Sequence, residues 1–323
     1  MSGCAMKCSH SARTDVGRHR DHNEDDYGLG EGAHIEKHGQ LFVVCDGMGG
    51  HEAGEVASRL AVANILSSYY DNEDEDRALA LSVAFDTANT VIFNEGNQGG
   101  VSMGTTGVAA VLYRDECVVA NVGDSRAYLI RRGAIRQITR DHSLINEQIA
   151  AGMITAADAE NMLFKHVITR ALGHQPDVRV DLFRFALLPT DIIVLTSDGL
   201  INHVNDDEIL AVLHEDSLVD GVDHLVDLAN ARGGSDNITV LVVRVDALEG
   251  TAPLPIPVDA MPVMMSEYNG QRVASTHNTS SMRLMISPQI SWQGAGLSLA
   301  LLMLLLLIIA LGIIGVWPFA SAT

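Results

Sequence analysis

Positive charge is scarce in this sequence: 21 lysines and arginines stand against 41 aspartates and glutamates, a formal net charge of −20 over 323 residues. Phosphate backbones are held by Lys and Arg, so the deficit argues against nucleic acid as a partner. Cysteine is rare as well, and four in a chain this long cannot build a disulfide framework. Cys45 and Cys117 lie in apolar, strand-like runs and read as buried thiols in a reducing compartment. Cys4 and Cys8, with His10, have the makings of a metal clip or a lipid site, but no apolar signal region precedes them. Residues 1–12 therefore read as a flexible N-terminus. Disorder is excluded for most of the chain, because 47% hydrophobic residues can build a substantial core.

Charge is missing altogether after Arg283. From Leu297 to Trp317 the residues are almost all Leu, Ile, Ala, Met, Gly and Val. A bilayer-spanning helix needs ~20 such residues, and a buried soluble helix of that length rarely lacks a polar stripe. Residues 295–317 are therefore expected to form a transmembrane helix, with 318–323 as a short tail. Trp292 and Trp317 bracket the span, and Arg272 and Arg283 lie on its upstream flank. That asymmetry places the N-terminal part in the cytoplasm, with the chain anchored as a single-pass protein of the inner membrane. Between the span and the rest, residues 247–290 read as a linker. Pro253, Pro255, Pro257 and Pro262 stiffen its start, and a Ser-, Thr- and Asn-rich stretch follows.

The remaining unit, 13–246, alternates strand-like and helical blocks. Gln40–Cys45 is a short apolar run that stops at Asp46-Gly47, while Ala53–Tyr70 and Arg77–Phe93 carry apolar residues at helical spacing. Strand-like runs follow at Gly107–Tyr113, Glu116–Val122 and Ala127–Ile130, and again at Asp181–Leu188, Ile192–Ser197 and Ile238–Val245. Several separations are too short for a helical crossover, so much of the sheet must be antiparallel. The pattern predicts an α+β fold, an antiparallel core covered by helices.

Acidic residues recur at the ends of these strands. Asp46 lies in VVCDGMGGH, Asp198 in VLTSDGL, Asp236 in GGSDNITV and Asp124 in NVGDSRAYL, and DVGRHRDHNEDD near the start supplies Glu24, Asp25 and Asp26. One Asp-Gly after a strand is ordinarily a turn. Several acidic strand ends converging from one sheet are another matter, since carboxylates repel unless something neutralises them. Mg²⁺ or Mn²⁺ would do so, as an oxygen-rich site without Cys or His selects hard cations over zinc. Gly47 would let its carbonyl approach an ion closely. Two such ions ~4 Å apart can share a water and lower its pKa toward neutrality. Metals would also reverse the sign of an acidic pocket and admit a phosphate, whose free oxygens the planar fork of Arg20 is suited to grip.

The stretches TDVGRHRDHNED, FVVCDGMGGHEAGEVAS, MGTTGVAAV, NVGDSRAYLI, ITRDHSL, TRALG, LTSDGL and GGSDNITVLVV occur in that order between Thr14 and Val243. Together they resemble the metal-dependent Ser/Thr protein phosphatases of the protein phosphatase 2C family, its bacterial members above all. The resemblance implies two antiparallel sheets packed face to face between helices, a four-layer α-β-β-α sandwich. It implies that Asp46 bridges two Mn²⁺ or Mg²⁺ ions, that Gly47 offers its carbonyl, and that Asp198 and Asp236 complete the first ion's ligands. Glu24 and Asp25 would order water around the second ion, Asp124 would help hold a weaker third, and Arg20 would grip the phosphate. Residues 143–165 would correspond to a mobile flap. The implied partners are phosphorylated proteins, with a membrane Ser/Thr kinase of the same cell as the first candidate.

One departure stands out. Animal members carry a His, the usual candidate for general acid, where this chain has Met48, a difference the bacterial relatives share. His51 is the nearest replacement as proton donor. Other readings use the same residues. A catalytically weak phosphoprotein-binding module would need a metal carboxylate lost, and Asp46, Asp198 and Asp236 are all present. A sigma-factor regulatory phosphatase usually carries its membrane or sensor module before the domain, whereas here the apolar span follows it. A membrane adaptor would use the domain only as a docking surface, and metal-dependent turnover separates it from every catalytic reading.

Overall fold

The computed structural model describes residues 6–50, 52–155, 158 and 167–248, together with the backbone of 263–268. Every strand pairing among them is antiparallel. One sheet runs in the order β1 (Met6–Asp15), β11 (Ile238–Leu248), β10 (Ile192–Thr196), β7 (Arg126–Arg131) and β8 (Ala134–Gln137). The other runs β12 (Val263–Tyr268), β9 (Val180–Ala186), β6 (Glu116–Val122), β5 (Gly107–Tyr113), β3 (Gln40–Gly49) and β2 (Asp25–Leu29). A short β4 (Met103–Thr105) pairs with the far end of β3. Two short helices, α1 (Ile35–His38) before β3 and α4 (Leu144–Ala150) after β8, lie in the connections.

The period of two along each strand decides which side chain enters which layer. On β3, Phe42 and Val44 face the β1–β11–β10–β7–β8 sheet and pack in one cluster with Leu129, Ile193, Leu195, Leu241 and Val243. Their neighbours Leu41, Val43 and Cys45 face the other way, toward α2 (Ala53–Asp71) and α3 (Arg77–Gly99). On the opposite side of the molecule Tyr128, Val194, Val240 and Val242 pack against α5 (Asp198–Ile201), α6 (Asp206–Glu215) and α7 (Leu218–Ala231). Three apolar clusters between four layers are the expected α-β-β-α sandwich. Each fully buried Leu, Ile, Val or Phe contributes roughly 1.5–3 kcal/mol, so the central sheets, buried on both faces, carry most of the stabilisation. Cys45 and Cys117 are buried as read from the sequence, and burial pushes both thiols well above the ordinary range.

Two boundaries differ from expectation. The expected flexible N-terminus is, from Met6 onward, the edge strand β1, paired residue by residue with β11 from Met6–Leu248 to Asp15–Ile238. Its sequence MKCSHSARTD gives only a weak strand signal: Met6, Cys8 and Ala12 alternate onto the inter-sheet cluster, but most of its side chains are only partly buried. The expected linker also contains structure, since the backbone of Val263–Tyr268 adds a strand alongside β9. The compact unit holding the described residues accordingly runs to Arg272 rather than 246. The span expected at 295–317 and the tail 318–323 lie outside the described residues. Among the described residues no helix is long and apolar enough to cross a membrane.

Candidate active site

The site grows from the end of β3, where Asp46 lies directly opposite Asp25 of β2. Side chains facing each other across an antiparallel pair sit ~5 Å apart at Cβ, and like charges there destabilise. The backbone of Asp46 is clamped to hold this position. Its N–H donates to Thr106 Oγ1 (2.9 Å), and its carbonyl accepts from Thr106 N–H (2.8 Å) and Thr105 Oγ1 (2.8 Å). Thr106 Oγ1 is in turn hydrogen-bonded to Ser125 Oγ at 2.7 Å, next to Asp124. The β4–β5 junction thus ties Asp46 to the loop that carries Asp124.

The sheet that holds β10 and β11 supplies the other acids. Asp198 follows β10 and opens α5, rather than ending a strand, and Asn202 Nδ2 donates to its Oδ2 (3.1 Å). Asp236 lies two residues before β11. Its Oδ1 accepts from the N–H of Asn237 (2.9 Å) and its Oδ2 from Arg20 Nη2 (2.8 Å). Arg20 Nη1 also lies 3.8 Å from Glu24 Oε2. The Asp25 carboxylate crosses between the sheets, accepting through Oδ2 from Ser197 Oγ and Thr239 Oγ1, each at 2.7 Å.

Asn237 organises the loop that carries Arg20 and Glu24. It is buried, its Nδ2 donates to the carbonyls of Val16 and His22 (both 2.9 Å), and its Oδ1 accepts from Glu24 N–H (2.8 Å). Gly47 donates its own N–H to the Glu24 carbonyl (3.0 Å). A Cβ at Gly47 would sit 2.1 Å from the Gly54 carbonyl oxygen and 2.6 Å from that of Glu24. Only glycine fits between the start of α2 and the Glu24 segment.

The acids feel one another strongly. Burial pushes Asp46 far above the ordinary carboxylate range, and Asp25, Asp198, Asp124 and Asp236 push it further. Burial raises Asp25 to about 7, with Asp198 and Asp236 adding to the rise, against the pull of the Thr239 and Ser197 hydrogen bonds. Asp124 also reaches about 7, through burial first and then Asp198 and Asp141. Glu24 is raised by burial, opposed by Arg20 and reinforced by Asp236. Residues spread from position 24 to position 236 therefore share one field.

That field is what a hard cation relieves, and the oxygens present fit one. Oδ1 of Asp25 and Oδ1 of Asp124 are buried without a hydrogen-bond donor, which is costly for a carboxylate unless a positive charge faces it. Among the described residues no three His, Cys, Asp or Glu side chains form a closed ligand group. Backbone carbonyl and water oxygens would have to complete any shell, which suits Mg²⁺ and Mn²⁺ better than zinc.

The structure brings Arg20, Glu24, Asp25, Asp46, Gly47, Asp124, Asp198 and Asp236 into this neighbourhood. His51, the expected proton donor, lies outside the described residues. Thr105, Thr106, Ser125, Ser197, Asn237 and Thr239 were not singled out from the sequence. Ser125, Ser197 and Asn237 each stand next to an aspartate in sequence, whereas Thr105 and Thr106 lie in MGTTGVAAV, which has no acid to mark them.

The Protein phosphatase 2C family pattern matches residues 10–148. The serine/threonine phosphatase stp of Listeria welshimeri is 39% identical over 239 residues, covering 72% of this chain and 94% of its own. The solved serine/threonine phosphatase of S. agalactiae superposes with a TM-score of 0.69 at 36% identity, covering 74% of this chain and 100% of its own. The catalytic domain of the protein phosphatase PstP, solved with two manganese ions, gives 0.65 at 33% identity, covering 74% and 99%.

Proposed function

This chain belongs to the protein phosphatase 2C family, and on that footing we propose how its residues divide the work of removing phosphate from phosphoserine and phosphothreonine. It is a metal-dependent phosphoprotein phosphatase using Mn²⁺ or Mg²⁺, two per site, and acts on phosphorylated proteins. The observation that carries the assignment is the shared field of Asp25, Asp46, Asp124, Asp198 and Asp236, with two buried oxygens that no donor reaches.

Asp46 would be the carboxylate common to both ions: it lies opposite Asp25, and Asp25, Asp198, Asp124 and Asp236 all act on it. Gly47 would offer its carbonyl, and Asp198 and Asp236 would hold the first ion. Glu24 and Asp25 would hold the second through water, and Asp124 would hold a weaker third. When bound, the ions supply the charge that admits a phosphate and make a water acidic enough to attack phosphorus. Thr105 and Thr106 hold the Asp46 backbone still while this happens. Arg20 has five N–H donors, of which Nη2 pairs with Asp236. Nη1 lies near Glu24, and the half-exposed side chain leaves its other N–H groups accessible to fork onto phosphate oxygens. Hydrolysis of p-nitrophenyl phosphate that requires Mn²⁺ and stops with EDTA is the expected result, and failure to turn over with Mn²⁺ would sink the assignment.

The membrane reading is part of the same proposal and rests on the sequence alone. The apolar, uncharged stretch at 295–317 supports a C-terminal anchor in the inner membrane, and the upstream arginines support a catalytic domain facing the cytoplasm. An anchored phosphatase gains local concentration on membrane-bound targets without added affinity. A membrane Ser/Thr kinase is therefore the first substrate to test.

A further inference from the structure

The segments ITRDHSL and TRALG contain residues that the catalytic assignment leaves unused. Chief among them is His142, which is 7% exposed and so is no solvated loop histidine. It grips Gly123 twice. Its backbone N–H donates to the Gly123 carbonyl (2.9 Å), and its ring Nδ1 accepts from the Gly123 N–H (2.9 Å). Gly123 has φ +106°, and a Cβ there would lie 2.6 Å from Thr106 Cγ2, so the loop passes hard against the clamp on Asp46. Asn121 Nδ2 adds a bond to the same Gly123 carbonyl (3.3 Å) and one to the carbonyl of Arg140 (3.1 Å).

The other ring nitrogen is fixed by chemistry. Because Nδ1 accepts, the ring proton of neutral His142 is on Nε2. Nε2 lies 3.1 Å from Oδ2 of the buried Asp181, an electrostatic contact not aligned as a hydrogen bond, and Asp181 Oδ1 accepts from Arg170 Nη1 at 2.6 Å. The His142 carbonyl accepts from Thr169 N–H (2.8 Å), and Leu144 N–H donates to the Val167 carbonyl (2.9 Å). The Gly123 N–H fixes the tautomer with Nδ1 as acceptor, Asp181, held by Arg170, favours the same tautomer electrostatically, and that acceptor holds the residue immediately before Asp124.

We propose that His142 is a positioning residue for Asp124, fixing the 123–125 loop through its two bonds to Gly123, with Asp181 setting the ring for that task. The proposal rests on the reading of Asp124 as a metal ligand. A purely structural role for His142 would lower stability and leave ion binding by the folded protein unchanged. A positioning role changes the Asp124-dependent part of Mn²⁺ binding, and groups that orient metal ligands typically matter by about tenfold or more in affinity.

The experiment is Mn²⁺ titration of the full-length protein by calorimetry, with amide hydrogen exchange measured alongside. Wild type is compared with Asp124→Asn, His142→Ala, His142→Asn and Asp181→Asn. Asp124→Asn should remove the weakest binding component, and His142→Ala should weaken it about tenfold while speeding exchange at Gly123 and Asp124. His142→Asn should recover much of both, because Asn Oδ1 can stand where Nδ1 accepts. Asp181→Asn should fall between. If His142→Ala lowered the melting temperature but left the Asp124-dependent binding and the 123–124 amides as in wild type, the proposal would be overturned. If Asp124→Asn did not alter Mn²⁺ binding, the ligand reading would fail instead, and His142 would keep at most a role in ordering the loop. Should His142→Ala not fold, His142→Asn and Asp181→Asn decide: wild-type binding in both overturns the proposal.

Discussion

Thr239 donates a 2.7 Å hydrogen bond to the carboxylate of Asp25, joining the first residues of β2 to β11 in the opposite sheet. A hydroxyl has one hydrogen, so the 2.7 Å contact between Thr239 and Thr14 must run from Thr14 to Thr239. Asn23 Nδ2 donates to Thr14 Oγ1 (2.8 Å), completing a directed chain Asn23, Thr14, Thr239, Asp25. Thr239→Val keeps the shape and breaks the chain at its last link. The expected loss is about 1–3 kcal/mol of stability, read from urea unfolding in EDTA. The Asp25 pKa should also rise further, since a bond that favours the charged form is gone. An unchanged unfolding midpoint would mean that water replaces the Thr239 hydroxyl.

Asp46→Asn should lower Mn²⁺-dependent turnover by several orders of magnitude. Its carboxylate is the one oxygen group assigned to both ions, and removing its charge weakens both sites together. Stripped of metal, the variant should be at least as stable as wild type. The other aspartates repel Asp46, and an amide relieves that repulsion while Thr105 and Thr106 still hold the backbone. Near-normal turnover would remove Asp46 from the centre.

Stability should depend on pH with an unusual sign. Asp25 and Asp124 both sit at about 7 in the folded chain, against the 3.8 of an ordinary aspartate. Between roughly pH 4 and pH 7 the folded state then holds protons that the unfolded chain has released. Stability in EDTA should fall as pH rises through this window, the reverse of a salt-bridged carboxylate. Ions compete with those protons, so stabilisation by added Mn²⁺ should be larger at about pH 8 than at about pH 5. Thermal melts across that range, with EDTA and with Mn²⁺, check both slopes.

The sequence carries this site unevenly. β5 and β6 occupy the expected spans Gly107–Tyr113 and Glu116–Val122, because each is a buried apolar run and Arg114, at φ 56°, turns tightly between them. β3 extends past Cys45 to Gly49 because β4, a partner far along the chain, pairs with its end. β1 is hard to read for a related reason: its order comes from pairing with β11, and its alternation is weak, with only Met6, Cys8 and Ala12 turned toward the inter-sheet core. The acids were legible as Asp-Gly or Asp-Asn pairs at strand ends. Thr106, Asn237 and Thr239 were not, since a hydroxyl or amide gains its role only from the residue it meets across the fold.

Arg20→Ala should raise KM more than it lowers kcat. The guanidinium holds phosphate oxygens in the ground state as well as at the transition state. A lost charge-assisted contact of about 1.5–3 kcal/mol corresponds to roughly ten- to a hundredfold in KM. The ion pair with Asp236 adds a second effect, because its loss frees that carboxylate and should tighten Mn²⁺ binding. Steady-state kinetics at saturating Mn²⁺ separates the two. A collapse of kcat at constant KM would place Arg20 on the transition state alone.

Removing residues from Leu284 onward should release a soluble, active phosphatase. The cut leaves the catalytic motifs intact, since they end by Val245. It also spares the strand Val263–Tyr268 against β9 and the boundary at Arg272. A cut placed at 247, where the sequence alone suggested the linker begins, would remove that strand and expose the edge of β9, an invitation to aggregate. The shorter truncation should therefore express less well than the one ending before 284. The full-length chain should sediment with membranes and resist carbonate, as a span of ~20 apolar residues inserts all but irreversibly. Full-length protein found in the soluble fraction would disprove the anchor. Loss of turnover in the Leu284 truncation would show that the C-terminal segment contributes to the active fold.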